Sequence, residues 1–200
     1  MKMVIFDFDG VLVDTLSVCF SIISEVNENL SLEEYKSYFE GNINDAVKRG
    51  GTLKSFRPNY FDYYENRTRE LKIPQELKKL LKELSSSYTL VIVSSTRTST
   101  IKNILDREHA SSYFTDIFGN EIHNSKVVKN KMLLKKYKIL PENAVYVTDT
   151  TGDILEAREC EIKSIAVTWG FHEEKRLQKE NPEKIVSTPY ELLKAIEEIL

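Results

Sequence analysis

Cysteine is scarce in this 200-residue chain: there are two, Cys19 and Cys160, each inside a stretch that reads as helix. Two thiols cannot build a disulfide framework, and their spacing matches no metal-binding pattern, so a reducing, cytoplasmic setting is expected. A surplus of positive charge is also missing. Twenty-eight Lys and Arg stand against thirty-one Asp and Glu, a formal net charge of −3. That is far from the electrostatic footprint nucleic-acid binding needs, and no nucleic-acid partner is expected. No run approaches the ~18 apolar residues of a membrane span. The N-terminal MKMVIFDFDG has one early lysine and an apolar run of only four residues before its first aspartate, which is not the form of a secretory leader. Neither membrane insertion nor secretion is expected. Internal repeats and low-complexity linkers are lacking too. What remains, 41% hydrophobic and 30% charged residues, suits one ordinary domain core under a solvated surface, with room for a small insertion.

Four unbroken apolar runs stand out: Met3 to Phe6, Leu90 to Val93, Ala144 to Val147 and Ile165 to Val167. Continuous rather than alternating apolar residues mean strands buried on both faces, as in a parallel sheet covered by helices. Helical patterns lie between and after them, at Ser99 to Glu108, Val127 to Tyr137, Asp153 to Cys160 and Pro189 to Ile199; Ile117-Phe118 and Ile185-Val186 read as short edge strands. The alternation predicts an α/β fold, a doubly wound, Rossmann-like parallel sheet.

Residues 16–73 break this rhythm. They contain no comparable strand and read as helices at Leu16 to Val26, Leu32 to Phe39, Ala46 to Arg49 and Tyr60 to Leu71, a small all-helical insertion. Pro74 then restarts the main domain at a helix N1 position, ahead of Leu77, Leu80, Leu81 and Leu84 at helical spacing. The expected division is a core of residues 1–15 and 74–200 with residues 16–73 as the insertion.

Glu outnumbers Asp twenty-two to nine, yet five of the nine Asp fall in DFDGVLVD (Asp7, Asp9, Asp14) and TDTTGD (Asp149, Asp153). A solvated face could use Glu equally well, so short carboxylates beside Gly10 and Gly152 indicate that reach and geometry matter. Asp7 and Asp9, at i and i+2 where the first strand runs out, point to the same side of extended backbone. Two such carboxylates repel unless a cation or a proton intervenes. Asp149 ends another buried strand and Asp153 follows as a helix begins, where it can also serve as N-cap. Parallel strands open on one edge, where open α/β folds bind ligands, so the two segments can converge. Carboxylates without His or Cys suit Mg²⁺. Ser94, at the end of the Leu90 to Val93 run, precedes backbone N–H groups at a helix start, a cradle for phosphate oxygens.

Taken together these residues resemble the haloacid dehalogenase-like superfamily of hydrolases, over nearly the whole chain and in the right order. DFDGVLVDT matches the specific first motif DxDGxxxD, Ser94-Ser95 the short second motif and DTTGD the acidic fourth, with Thr148 where Gly is usual. The helical insertion is similar to the cap of one large branch. The third-motif lysine lacks its common Lys-Pro pair; Lys126, Lys129 and Lys131 are candidates, and Lys126 is favoured because Ser125 can cap the following helix and leave Lys126 at the convergent edge.

The resemblance implies a cytoplasmic, Mg²⁺-dependent phosphatase acting on a small phosphorylated metabolite, such as a phosphoglycolate or a sugar phosphate. Asp7 would be the nucleophile and Asp9 the general acid and base. Asp7, the Asp9 carbonyl, Asp149 and Asp153 would hold the metal. Ser94, Ser95, Gly10 and Lys126 would bind the phosphoryl group, and Asp14 would brace the turn. An acid at Asp9 separates phosphate-ester chemistry from dehalogenation, in which halide leaves without a proton. A phosphomutase, a phosphoacceptor switch and a catalytically silent binding domain are the alternatives. Outside these motifs, His172 is expected at the surface and Trp169 and Phe171 in packing; Lys48, Arg49 and Arg57, near Gly50-Gly51, could reach the cleft.

Overall fold

The computed structural model describes residues 1–49 and 57–200. In chain order it runs β1 (Met3–Phe6), α1 (Leu16–Ser24), α2 (Leu32–Ser37), a 3₁₀ turn (Tyr38–Glu40), α3 (Ile43–Arg49), α4 (Tyr60–Arg67) and α5 (Gln75–Leu84). Then follow β2 (Thr89–Val93), α6 (Thr98–Arg107), β3 (Asp116–Phe118), α7 (Lys126–Tyr137), β4 (Ala144–Thr148), α8 (Thr151–Glu159), β5 (Lys163–Val167), α9 (Glu174–Leu177), β6 (Lys184–Val186) and α10 (Pro189–Ile199). The six strands form one sheet in the order β3-β2-β1-β4-β5-β6, every pair parallel. The expected α/β class holds.

Alternate residues of each apolar run face opposite sides of the sheet. Val4, Phe6, Leu90, Ile92, Val145 and Val147 pack under α5, α6 and α10, whereas Met3, Ile5, Val91, Val93 and Tyr146 pack under α7 and α8. A run that must satisfy both faces cannot alternate with polar residues. Helix starts follow their caps: Ser125 accepts the Val128 N–H, Thr150 the Asp153 N–H and Thr188 the Glu191 N–H.

Boundaries differ from expectation where capping decides them. Pro74 is the N-cap of α5, extended at ψ 140, rather than its first helical residue. Thr68 closes α4 by donating to the Tyr64 carbonyl, ending the helix short of Leu71. Asp153 lies inside the first turn of α8, and Thr150 is the cap instead.

Helices α1, α2 and α4 bury their own apolar cluster, including Cys19, Ile22, Ile23, Tyr35 and Tyr64, joined from the other side by Phe171. Ile73, the last residue of the expected insertion, packs in the sheet core. Both cysteines are buried and unpaired with one another. Among the described residues no helix is long and apolar enough to cross a membrane. Gly50, Gly51 and the Arg49 side chain lie outside what is described.

Candidate active site

Strand register builds the site. Phe6 pairs with Ile92 on one side and Val147 on the other, so β1, β2 and β4 end nearly level. Beyond them stand Asp7, Ser94 and Asp149. The order places Asp7 and Asp149 on neighbouring strands where the winding reverses, the usual ligand crevice of such sheets. The Asp7 N–H donates to the Val147 carbonyl at 2.9 Å, which locks the two ends together.

The turn after Asp7 is held by the backbone. Gly10 has φ +73° and its N–H donates to the Val13 carbonyl at 2.8 Å. A Cβ there would be strained and would collide with the Asp149 carboxylate; one at Gly170 would strike the same side chain. These two glycines are what let Asp149 lie flat against the chain. Gly10, expected to bind substrate, is therefore buried beneath Asp149. Asp14, expected to brace the turn, is exposed, and Thr15 takes the inward place. Asp149 Oδ2 accepts the Phe171 N–H at 2.7 Å, while Oδ1 is buried without a partner.

Lys126 joins the acids. Its Nζ lies 2.8 Å from Asp7 and 2.6 Å from Asp153, all three side chains being buried. The Thr148 hydroxyl donates to Asp153 Oδ2 at 2.9 Å. Burial pushes Asp7 well above the ordinary carboxylate range against the pull of Lys126, and it pushes Asp149 up to about 7. Burial pushes Asp153 in the same direction, but Lys126 and the hydrogen bonds on its oxygens outweigh it and hold Asp153 below the ordinary value. Burial works against the Lys126 ammonium, and Asp153 and Asp7 together raise it well above a normal lysine.

Of the three candidate lysines, Lys131 is exposed and pairs with Glu159 at 3.6 Å. Lys129 is fully buried and donates to the Ser94 carbonyl at 2.5 Å. Only Lys126 of the three reaches the carboxylates.

Asp9 takes a different environment two residues from Asp7. Oδ1 accepts from Tyr64 at 2.5 Å and Thr15 at 2.9 Å; Oδ2 accepts from Thr96 at 2.8 Å and Ser94 at 3.4 Å. Four hydroxyls from three separate parts of the chain converge on one carboxylate. The Ser94 hydroxyl, which also accepts the Thr96 N–H at 3.0 Å, sits one layer behind the cavity wall; Ser95 and Thr96 form that wall. Tyr64 was invisible to motif reasoning because it lies 55 residues away on α4. Thr96 was legible in principle, as the third hydroxyl of VSST.

Asp7, Asp9, Lys126, Asp149 and Asp153 face one cavity of about 390 Å³, roofed by residues of α1 to α4 and the 3₁₀ turn. Arg57 lines it and pairs with Glu25, whereas Lys48 is exposed and pairs with Asp45 at 3.0 Å. His172 is buried, not at the surface. Its Nδ1 faces the Thr151 N–H at 3.1 Å, so Nδ1 accepts and Nε2 carries the proton toward the Lys36 carbonyl at 2.9 Å. A lone histidine in a loop carries no sequence signal for this bridge. Trp169 packs as expected, its Nε1 donating to the Val11 carbonyl at 3.1 Å.

Residues 4–167 match the family described as haloacid dehalogenase-like hydrolases. A phosphoglycolate phosphatase of Aquifex aeolicus is 29% identical over 212 aligned residues, covering 98% of this chain and 97% of the relative. One of the same name from Synechococcus elongatus is 26% identical over 210 residues, covering 100% and 99%. Among solved structures, a haloacid dehalogenase-like family hydrolase of Streptococcus pneumoniae superposes with a TM-score of 0.75 at 27% identity, covering 97% of each chain. The match spans most of the sequence and the strand-end acids fall inside it: the chain belongs to the haloacid dehalogenase-like hydrolase family.

Proposed function

We propose that this protein is a Mg²⁺-dependent phosphatase that hydrolyses a small phosphomonoester, of the phosphoglycolate or sugar-phosphate class, through an aspartyl-phosphate on Asp7. Residues 16–73 act as a cap over a core of residues 1–15 and 74–200. The observation that carries this reading is the contrast between two carboxylates two residues apart at the floor of one cavity. Asp7 is buried in an acid cluster around Lys126, and Asp9 is held apart by four hydroxyls. The two relatives named phosphoglycolate phosphatase support phosphate-ester chemistry.

The donor set suits a hard divalent cation. Asp7, Asp149 and Asp153 bring three buried carboxylates against the single Lys126 ammonium, and Asp149 Oδ1 has no partner. Among the described residues no three Asp, Glu, His or Cys side chains form a complete cage; Mg²⁺ characteristically keeps several waters and takes few protein ligands. Asp7, the Asp9 backbone carbonyl and Asp149 would hold the ion, with Asp153 contributing directly or through water. Bound there, it would offset charge on the phosphoryl oxygens.

Asp7 attacks phosphorus in line, forming an O–P bond as the ester P–O bond breaks, and Asp9 gives its proton to the departing oxygen. Water then attacks the aspartyl-phosphate, Asp9 takes a proton from it, and phosphate departs with Asp7 restored. Lys126, Ser95 and Thr96 face the transferring group and counter its charge.

Assaying a panel of small phosphomonoesters, with Mg²⁺ and with a chelator, tests the proposal. Activity should require the metal, and rapid-quench mass spectrometry should place phosphate on Asp7. Full activity in metal-free protein, or label on Asp9, Asp149 or Ser94, would overturn it.

A further inference from the structure

Beside its carboxylates the cavity carries an aromatic lining with its own chemistry. Its wall is made of Tyr35, Phe39, Tyr60, Phe61 and Phe171, with the Cys19 thiol among them. The rings meet in two groups that line the same space. Phe39 meets Phe171 edge-on at 5.1 Å between centroids and Tyr35 at 5.2 Å, and Tyr60 meets Phe61 at 5.5 Å. Edge-to-face arrays leave ring faces and edges available to a further ring.

Among the described residues each cation on this wall already has an anion. Arg57 pairs with Glu25 and lies 3.8 Å over the Tyr63 ring. Arg97 pairs with Asp62 at 3.1 Å and lies 4.7 Å over Phe61. Lys126 is taken by Asp7 and Asp153. Two further carboxylates, Asp9 and Glu156, face the same space. Burial pushes the Cys19 thiol up to about 12, and it raises Tyr35 and Tyr60 well above an ordinary phenol, so the chamber opposes negative charge. A second anion on the substrate would lose its water and meet carboxylates, or would have to compete with the carboxylate each cation already holds.

We infer that the leaving group this site accepts is an uncharged alcohol bearing a ring or comparable apolar body, seated between Phe39, Phe61 and Phe171, and not one bearing a second anion. The inference rests on the phosphatase reading and narrows its substrate class. It favours the ring-bearing side of that class over phosphoglycolate, whose carboxylate would find each cation among the described lining residues already paired.

The test compares kcat/KM of the full chain, with Mg²⁺, on benzyl phosphate, ethyl phosphate and 2-phosphoglycolate. All three are alkyl esters, so intrinsic leaving ability differs little while the ring and the carboxylate are varied separately. Phenyl phosphate, with its better leaving group, reports phosphatase activity as such. Benzyl phosphate should exceed ethyl phosphate by about tenfold or more, the scale of burying an apolar group of that size, and 2-phosphoglycolate should be no better than ethyl phosphate. Phe39→Ala should lower the benzyl-to-ethyl ratio about tenfold. The half-buried Phe61→Ala makes the same test should Phe39→Ala fail to fold. A preference for 2-phosphoglycolate, equal rates on the benzyl and ethyl esters, or an unchanged ratio in a folded variant would overturn the inference while leaving the phosphatase reading intact. Inactivity on all four esters, phenyl phosphate included, would overturn both.

Discussion

At the residue scale, the division of labour proposed for Asp7 and Asp9 rests on their neighbours. Asp7 sits among acids and one ammonium, where a proton or a metal must offset its charge; Asp9 sits among hydroxyls, which can donate to a carboxylate or accept from a carboxylic acid. Asp9→Ala should therefore cost alkyl esters about 10² to 10⁴-fold in rate, the usual contribution of a general acid, while an aryl ester loses far less and stalls as aspartyl-phosphate. Equal losses on both esters with no trapped intermediate would reduce Asp9 to a structural role. Tyr64, whose hydroxyl reaches Asp9 from α4, is a positioning residue in this scheme. Tyr64→Phe should lower kcat on an alkyl ester by roughly tenfold, the scale of one hydrogen bond to a charged group, with little change in KM and a smaller effect on an aryl ester. A uniform loss across leaving groups, or a change confined to KM, would assign Tyr64 to packing.

At the scale of elements, α8 and α7 make opposing demands. Gly152 in the first turn of α8 approaches the 3₁₀ turn so closely that a Cβ would come within 2.5 Å of the Gly41 carbonyl and 2.8 Å of the Phe39 carbonyl. Helix propensity alone would make Gly152→Ala stabilising by about 1 kcal/mol. The contact reverses the sign: the variant should melt lower and show a raised KM as the turn is pushed off α8. A higher Tm with unchanged KM would show that the turn gives way freely.

In α7, burial, aided by the nearby Lys126 charge, lowers Lys129 to about 8. Below that pH both folded and unfolded chains hold the proton, and the folded state bears the full penalty of a buried ammonium. Between about 8 and the ordinary lysine value the unfolded chain binds more protons, so stability rises with pH, by about 3 kcal/mol in total on an order-of-magnitude basis. Denaturant midpoints measured from pH 7 to 10.5 should show that rise relative to Lys129→Met, in which this group no longer titrates. Parallel curves for the two proteins would mean that the carbonyls of Ser94 and Gly119 fully compensate the charge.

At the scale of the whole molecule, the helical segment meets the sheet domain on two flanks. On one, Arg176 pairs with Glu33 and Glu40 while His172 bridges Thr151 to Lys36; on the other, Arg97 pairs with Asp62 and Asn103 with Glu65. The ion pairs have exposed carboxylates and are individually weak, which suits the opening and closing of the cap proposed for residues 16–73. With the cavity roofed from both sides, a folded phosphoprotein should be turned over at no more than about one per cent of the rate on a small ester, because excluding water and bulk is what such covers do. Efficient dephosphorylation of a folded protein would count against a closing cap.

The sheet and its acids were legible from local pattern, because strands buried on both faces must be continuously apolar and their ends must carry whatever polar residues follow. That logic located Met3 to Phe6, Asp7, Asp149 and Asp153, and Ser125 as a helix cap pointed to Lys126. It failed for contacts whose partners are distant in sequence. Tyr64 on Asp9, His172 between Thr151 and Lys36, Gly170 against Asp149 and the ring wall of Phe39 and Phe171 join segments from 21 to 136 residues apart. No periodicity or short motif encodes such pairs. Asp14 shows the converse: its motif position suggested a brace, yet at that point in the turn its side chain faces solvent and Thr15 points inward. The order of apolar and acidic residues along the chain determined the floor of the site. Only the packing of the helical segment onto that floor brought the Tyr64 hydroxyl to Asp9 and set Tyr35, Phe39, Tyr60 and Phe61 with Phe171 around the space above it.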